Sequence, residues 1–276
     1  MMDKIYMGSN LKMYKNIAQT QSFLARLAEL TADIDRKEVT FFIIPSYTAL
    51  DRARQTVAGD QILLGAQNMH PEEEGQFTGE ISPLMLKEIG MDIIEIGHSE
   101  RRHVMGETDE QENKKVLSAL NHGFTALLCV GETGEQKALG LSDEVLATQL
   151  KIGLHGVAAE QLDRLWIAYE PVWAIGVNGV PASAEYADEK HAVIKNVLKG
   201  LFGDDAEKIP VLYGGSVNLE NCKELSACPH VDGLFVGRTA WDADRFDKLI
   251  RMSIAEFRIK RKFESGKPSC WNGSIF

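Results

Sequence analysis

Short apolar runs alternate along the chain with longer segments in which apolar residues recur at helical spacing. Each run is nearly continuous in hydrophobicity, as expected of parallel strands that are covered on both faces. The eight runs are IYMGSNLK (5–12), VTFFIIPS (39–46), ILLGAQN (62–68), IIEIGHS (93–99), FTALLCVGE (124–132), LWIAYEP (165–171), PVLYGGS (210–216) and DGLFVG (232–237). The alternation predicts a mainly parallel sheet whose strands are connected by helices.

The segments between the runs carry helix signals. Residues 18–30 repeat apolar side chains at helical spacing, and Ser82 before Pro83 is typical of a helix N-cap followed by the first helical position. Thr108 and Gln111 form a capping-box pattern for a helix that closes on Gly123. Eight strands alternating with eight helices in about 250 residues predict a closed (β/α)₈ barrel.

The alternative α/β architecture is a doubly wound open sheet. That fold normally has a glycine-rich fingerprint after its first strand, whereas this chain has GSNLKMYK there. We therefore predict a single α/β domain, a barrel over residues 1–264, followed by a C-terminal extension over 265–276. Trp271 and Phe276 in the extension favour its packing against the barrel.

Composition narrows the functional class. The chain has 276 residues and a net charge of −10, which disfavours nucleic-acid binding because that function needs a basic surface. Its four cysteines show no C-x-x-C spacing, so we expect reduced thiols rather than a zinc site. The N-terminus lacks a long apolar signal region, and no apolar run is long enough to span a bilayer. These features predict a soluble, cytoplasmic protein that binds neither membrane nor nucleic acid.

Polar residues follow several predicted strands at the end where barrel enzymes carry their chemistry. Asn10 and Lys12 follow the first strand, His98 and Glu100 the fourth, and Glu170 the sixth. Taken singly, each has an ordinary structural explanation, such as a solvated lysine or a hydrogen-bonded core histidine. Their convergence favours chemistry: a carboxylate can take a proton next to a carbonyl group, while a histidine and a lysine stabilise the resulting enediolate.

Glycine-rich strand ends complete the pattern. Residues 214–216 and Gly237 follow the last two strands and offer backbone N–H groups to a phosphate. Residues 171–179, PVWAIGVNG, combine a proline, an apolar middle and two glycines. That composition suits a lid that closes over a bound phosphate and excludes water.

Seven segments, spread over nearly the whole chain, together resemble the triosephosphate isomerase family. They are N-x-K-M (10–13), GAQN (65–68), FTGEIS (77–82), IGHSERR (96–102), AYEPVWAIG (168–176), YGGSVN (213–218) and DGLFVG (232–237). The resemblance implies a TIM barrel and a cytoplasmic isomerase that uses no metal and no cofactor. The family is also a standard example of catalysis beneath a closing loop, which agrees with the lid interpretation.

The resemblance also implies a role for each site residue. Glu170 becomes the base that carries the proton, His98 the neutral electrophile, and Lys12 the cation that stabilises developing charge. Asn10 matches a substrate-contacting asparagine, and Glu100 matches the carboxylate beside the active-site lysine. The matching phosphate-binding positions are Gly176, Ser216 and Gly237.

A homodimer is the expected assembly. The loop that docks into a partner subunit in this family matches Phe77, Thr78, Gly79 and Glu80.

The chain departs from the family pattern in four places. Leu11 replaces the usual tryptophan, VNGVPAS (177–183) replaces the usual end of the lid, and the C-terminal extension is additional. Arg238 follows Gly237 where a second glycine is usual. Arg238 is either a surface residue or a substrate-binding residue that reshapes the phosphate end for a different or longer sugar phosphate.

The sequence leaves two substrate–product pairs open. Four segments together resemble a subgroup of the family that interconverts L-erythrulose 1-phosphate and D-erythrulose 4-phosphate in erythritol catabolism, and we favour this pair. They are GAQNMH (65–70), VNGVPAS (177–183), YAD (186–188) and ACPHVDGLFVGRTAW (227–241). The alternative pair is D-glyceraldehyde 3-phosphate and dihydroxyacetone phosphate, the substrates of glycolysis and gluconeogenesis.

Two further alternatives concern catalysis itself. A barrel that binds a phosphosugar without turnover would have lost at least one of Asn10, Lys12, His98 and Glu170, and all four are present. A purely structural dimer would keep the FTGE loop while the lid decayed, whereas the lid differs from the family pattern at one end only.

Overall fold

Eight parallel strands close into a barrel in chain order, and the eighth strand pairs with the first. The computed structural model describes residues 2–176 and 179–264. The strands are β1 Ile5–Asn10, β2 Val39–Ile44, β3 Leu63–Ala66, β4 Ile93–Ile96, β5 Thr125–Val130, β6 Leu165–Tyr169, β7 Val211–Tyr213 and β8 Gly233–Phe235. The predicted (β/α)₈ barrel is confirmed. Each strand is shorter than its apolar run, because the last residues of the run leave the ladder and form the loop that follows.

Helices cover the outside of the barrel between successive strands. They are α1 Ile17–Leu30, α2 Leu50–Thr56, α3 Pro83–Glu88, α4 Ser99–His103, α5 Asp109–Asn121, α6 Gly134–Ala138, α7 Ser142–Gly153, α8 Ala184–Phe202, α9 Cys222–Ala227 and α10 Ala243–Glu264. The prediction of eight helices is therefore too low for the described residues. The additional helices, α4 and α6, have five residues each, which is too short for helical periodicity to show in the sequence.

The predicted helix starts are confirmed. The Ser82 side chain accepts a hydrogen bond from the backbone N–H of Met85 at the start of α3. Thr108 and Gln111 form a reciprocal capping box at the start of α5. Gly123, just beyond that helix, has a φ of 83°, a left-handed conformation in which glycine is favoured.

The barrel interior has its own side-chain cluster, separate from the larger core between sheet and helices. Phe42, Leu127 and Trp166 belong to this interior cluster. Gly8 is required beside it, because a Cβ atom at this position would lie 2.1 Å from the Phe42 ring. The filled interior forms the floor beneath the strand ends.

The described helices include none that is both long and apolar enough to cross a membrane. The C-terminal extension, with Trp271 and Phe276, lies outside the described residues, so its predicted packing stays a prediction.

Candidate active site

The structure places all nine predicted site residues around one cavity of about 520 Å³. The cavity lies at the C-terminal rim, the end of the barrel where the carboxyl ends of the strands meet. The nine residues are Asn10, Lys12, His98, Glu100, Glu170, Gly176, Ser216, Gly237 and Arg238. Their proximity is a finding, while the chemical role of each stays a prediction.

Lys12 is held in a conformation that few non-glycine residues adopt. Its φ is 51°, in the left-handed region, where a side chain costs about 1 kcal/mol or more. The Lys12 backbone N–H donates to Asn10 Oδ1 at 2.6 Å, and its carbonyl accepts from Gln67 Nε2 at 2.7 Å. These bonds hold the strained loop in place and direct the ammonium group towards the cavity.

The Lys12 ammonium forms an ion pair at the cavity wall. Its Nζ donates to Glu100 Oε1 at 2.7 Å. Partial burial alone raises the pKa of Glu100, but the hydrogen bond and the positive charge of Lys12 lower it below its usual value. Glu100 is therefore a carboxylate at neutral pH and keeps the lysine in position.

His98 carries its proton on the nitrogen that faces the site. The backbone N–H of Glu100 donates to His98 Nδ1 at 3.1 Å, because His98 caps the short helix α4. A ring nitrogen can accept this bond only when it has no hydrogen, so the neutral ring bears its proton on Nε2. Helix α4 begins at Ser99, the residue that follows His98.

Glu170 is buried beside this histidine. Its side chain is 4% exposed, and Oε1 lies 3.4 Å from His98 Nε2. Oε2 accepts from the backbone N–H of Ser99 at 3.1 Å, at the start of α4. Gly214 makes room for the carboxylate, because a Cβ atom there would lie 2.9 Å from Glu170 Cγ. The acid and the histidine are thus adjacent and can exchange protons with one bound molecule.

The opposite side of the cavity connects the lid to the last two strand ends. Ser216 Oγ donates to the carbonyl of Ala174 at 2.6 Å. Arg238 Nη2 donates to the carbonyl of Gly176 at 2.9 Å. Arg238 is exposed, but its guanidinium group contacts the lid, so it is not an isolated surface residue. Val177 and Asn178, in the altered end of the lid, lie outside the described residues.

Sequence reasoning missed three other residues of the cavity wall. Arg245, on α10, also lines the cavity and adds a cation to Lys12 and Arg238. Tyr14 and Trp241 also line it; their ring centroids are 4.5 Å apart, and Trp241 Nε1 donates to the carbonyl of Asn10. None of the three stands at a strand end, so the position rule that found the other residues could not identify them.

A buried carboxylate holds the first residues of the lid. Glu132 is fully buried and accepts hydrogen bonds from Trp173 Nε1 at 2.8 Å and from Tyr186 Oη at 2.9 Å. Tyr169 Oη lies 3.0 and 3.1 Å from its two oxygens. The Lys137 ammonium lies 3.4 Å from the Trp173 ring centroid. The cluster spans more than fifty residues of chain, so it has no local sequence signal.

A second buried carboxyl group lies beneath the cavity. Glu95 is fully buried in β4, and its Oε1 accepts from Asn10 Nδ2 at 3.0 Å. Burial, followed by the negative charge of Glu170, raises the pKa of Glu95 well above its usual value. A sequence signal for this residue exists, because a glutamate interrupts the apolar run IIEIG (93–97).

Glu95, His98 and Glu170 are also the described residues whose ligand atoms are close enough to share a metal ion, all within 4.8 Å of one another. His98 does not fit that use in this arrangement. Its Nδ1 accepts a backbone hydrogen bond, and its Nε2 carries the proton, so neither nitrogen offers a free lone pair.

Comparison with known proteins agrees with this geometry. The family model described as Triosephosphate isomerase matches residues 5–253. A Rhizobium etli protein named L-erythrulose-1-phosphate isomerase is 46% identical over 254 residues, which cover 91% of this chain and 93% of that protein. Proteins with the same name from Brucella abortus and Rhizobium meliloti are each 44% identical; the alignments cover 89% and 91% of this chain, and 94% and 98% of those proteins.

A closed barrel with a carboxylate, a histidine and a lysine around one rim cavity defines a class of enzymes that move protons on small substrates. The chain belongs to the triosephosphate isomerase family and is a sugar-phosphate isomerase.

Proposed function

We propose that this enzyme interconverts L-erythrulose 1-phosphate and D-erythrulose 4-phosphate. The observation that carries the proposal is the adjacent pair of Glu170 and His98, 3.4 Å apart, in a chain 44–46% identical to proteins named for this substrate. The alternative triose pair is supported by the description of the family model alone.

The reaction moves a carbonyl group between adjacent carbons. In L-erythrulose 1-phosphate the carbonyl is at the second carbon and a C–H bond is at the third. Glu170 takes the proton from the third carbon, and the electron pair of that bond forms an enediolate with the carbonyl oxygen. The hydroxyl proton on the third-carbon oxygen moves to the oxygen on the second carbon, with His98 Nε2–H positioned between the two oxygens. Glu170 returns its proton to the second carbon, and the carbonyl is then at the third carbon, which gives D-erythrulose 4-phosphate. No electrons are gained or lost overall.

The other site residues stabilise the charge that develops in this reaction. His98 Nε2–H donates to the oxygen that becomes negative. The Lys12 ammonium lines the same cavity and stabilises this negative charge. Glu100 fixes Lys12, and Asn10 is fixed by the Lys12 backbone. The phosphate lies against Gly176, Ser216 and Gly237, with Arg238 and Arg245 as neighbouring cations.

A homodimer and a cytoplasmic location are part of the proposal. The loop residues 77–80 are exposed, and Phe77 is 45% exposed although it is a large apolar residue. Met13 and Tyr14, in the loop that follows β1, are 94% and 58% exposed. Exposed apolar side chains of this kind favour burial against a second subunit. The buried free thiols of Cys129, Cys222 and Cys228 agree with a reducing compartment.

The test is direct conversion. Purified enzyme is incubated with L-erythrulose 1-phosphate in D₂O, and the mixture is followed by NMR. We expect D-erythrulose 4-phosphate to accumulate, with deuterium on the carbon that received the proton, because the base exchanges with solvent. Absence of conversion, in a preparation that interconverts triose phosphates, would reject the tetrulose proposal and favour the triose pair.

A further inference from the structure

Glu95 is a polar residue that the proposed mechanism does not use. It shares a strand face with Ile93, which belongs to the barrel interior, so its side chain enters the barrel beneath the cavity. Its Oε1 accepts from Asn10, but its Oε2 is buried and has no hydrogen-bond partner among the described residues.

An unpartnered carboxyl oxygen in a barrel interior destabilises the fold. Burial removes the oxygen from hydrogen-bonding water, and no hydrogen bond within the protein replaces that water. The raised pKa of Glu95 keeps the carboxyl group protonated over a wider pH range, so the group can both donate and accept a hydrogen bond. An apolar residue at this position would avoid the cost. The unpartnered Oε2 is therefore available to a hydrogen-bonding group of a ligand.

The position of Glu95 identifies the part of a ligand that it can reach. Its carboxyl group lies within 4.8 Å of both the His98 ring nitrogen and the Glu170 carboxylate. One hydroxyl oxygen can bond to two groups whose polar atoms are up to about 5.5 Å apart, since each such bond is about 2.7 Å long. A hydroxyl group held between His98 and Glu170 is therefore at hydrogen-bonding distance from the Glu95 carboxyl group, which lies below the residues that line the cavity.

The two candidate substrates differ at that end of the molecule. The tetrulose phosphate has one carbon more than the triose phosphate, a terminal CH₂OH attached to a reacting carbon and directed away from the phosphate. The phosphate end lies at the loops that follow β7 and β8, whereas Glu95 is on β4, opposite β8 in the eight-stranded barrel. Arg238 lies at the phosphate end and is poorly placed to recognise the additional carbon.

We propose that the Glu95 carboxyl group binds the terminal hydroxyl of the four-carbon substrate and so selects tetrulose over triose phosphates. The inference rests on the proposed function and deepens it by naming the residue that recognises the fourth carbon. Glu95 then has one oxygen for Asn10 and one for the substrate.

Two substitutions test this role. Glu95→Leu removes both polar atoms at similar volume, and Glu95→Gln retains a donor and an acceptor. We measure kcat/KM for L-erythrulose 1-phosphate and for D-glyceraldehyde 3-phosphate with each variant. For Glu95→Leu, we expect the ratio of tetrulose to triose kcat/KM to fall at least tenfold, because the substrate hydroxyl is left buried without a partner. Glu95→Gln should keep the ratio within about threefold of the native value.

An unchanged ratio in Glu95→Leu overturns the proposal. Equal losses on both substrates would mean that Glu95 acts only through Asn10. Thermal unfolding of both variants shows whether they fold, and Glu95→Gln provides the comparison if the leucine variant does not.

A binding measurement separates this proposal from the proposed function. Calorimetry with erythritol 4-phosphate and glycerol 3-phosphate, which cannot react, compares a four-carbon with a three-carbon ligand. If the native enzyme prefers triose substrates, the proposed function fails. The calorimetric affinities for the two unreactive ligands still test whether Glu95 binds the terminal hydroxyl. A tenfold or greater selective loss of erythritol 4-phosphate affinity in Glu95→Leu supports the proposal; parallel changes for both ligands reject it.

Discussion

Glu132 provides the most direct structural test of how the lid is anchored, through the substitution Glu132→Gln. The carboxylate accepts bonds from Trp173 and Tyr186, and each becomes a neutral bond in the variant. Bonds to charged groups contribute about 1.5–3 kcal/mol and neutral ones about 0.5–1.5, so each weakens by about 1 kcal/mol. The amide NH₂ then replaces Oε2, the nearer acceptor of the Tyr169 hydroxyl, while Oε1 already accepts from Trp173 and Tyr186. The Tyr169 bond is therefore lost at a cost of about 1 kcal/mol. The expected destabilisation is about 3 kcal/mol.

This value can be converted into a change in Tm. At about 2.1 cal/mol/K per residue, the unfolding entropy of a 276-residue chain is roughly 0.6 kcal/mol/K, so 3 kcal/mol corresponds to about 5 °C. The assay is thermal unfolding by circular dichroism at fixed protein concentration and pH 7. Glu135→Gln is the matched control, because Glu135 is exposed three residues away and should change stability by no more than about 0.5 kcal/mol. A Tm for Glu132→Gln within 1 °C of the native value would show that these hydrogen bonds do not stabilise the fold.

Three further predictions follow from the site. Glu170→Gln should fold normally and lose at least about 10²-fold in kcat, because the base is removed; full turnover by a folded variant would reject Glu170 as the base. Arg238→Ala should raise KM for tetrulose and triose phosphates alike, since the guanidinium contacts the lid at Gly176; a change confined to one substrate would contradict this. Glu95→Gln should gain stability over native as pH rises above about 4.5, by up to about 1.4 kcal/mol per pH unit, because the native fold binds the Glu95 proton more tightly than the unfolded chain does. Tm curves of the two proteins that stay parallel from pH 5 to pH 8 would exclude this linkage.

The barrel could be predicted from the sequence because the strands are buried on both faces and alternate with helices such as α1, whose 14 residues are enough to show a helical period. The capping residues Ser82 and Thr108 marked helix starts correctly, since their side chains act on backbone groups three residues away. Helices α4 and α6 were missed because five residues make little more than one turn.

The site residues likewise include some that the sequence predicts and others that it does not. Asn10, Lys12, His98 and Glu170 were found because the barrel brings strand ends together at one rim. Arg245 projects from a helix, and the donors to Glu132 come from distant segments, so only the folded chain brings these groups together. Glu95 was overlooked because it interrupts an apolar run at one position, although a single buried acid in a strand is itself a functional signal.

The substrate is tested most directly by kcat/KM for L-erythrulose 1-phosphate and for D-glyceraldehyde 3-phosphate, measured on one purified preparation. We predict that kcat/KM is at least tenfold higher for the tetrulose, which corresponds to about 1.4 kcal/mol of transition-state discrimination. An equal or greater kcat/KM for the triose would contradict it and make this enzyme a triosephosphate isomerase.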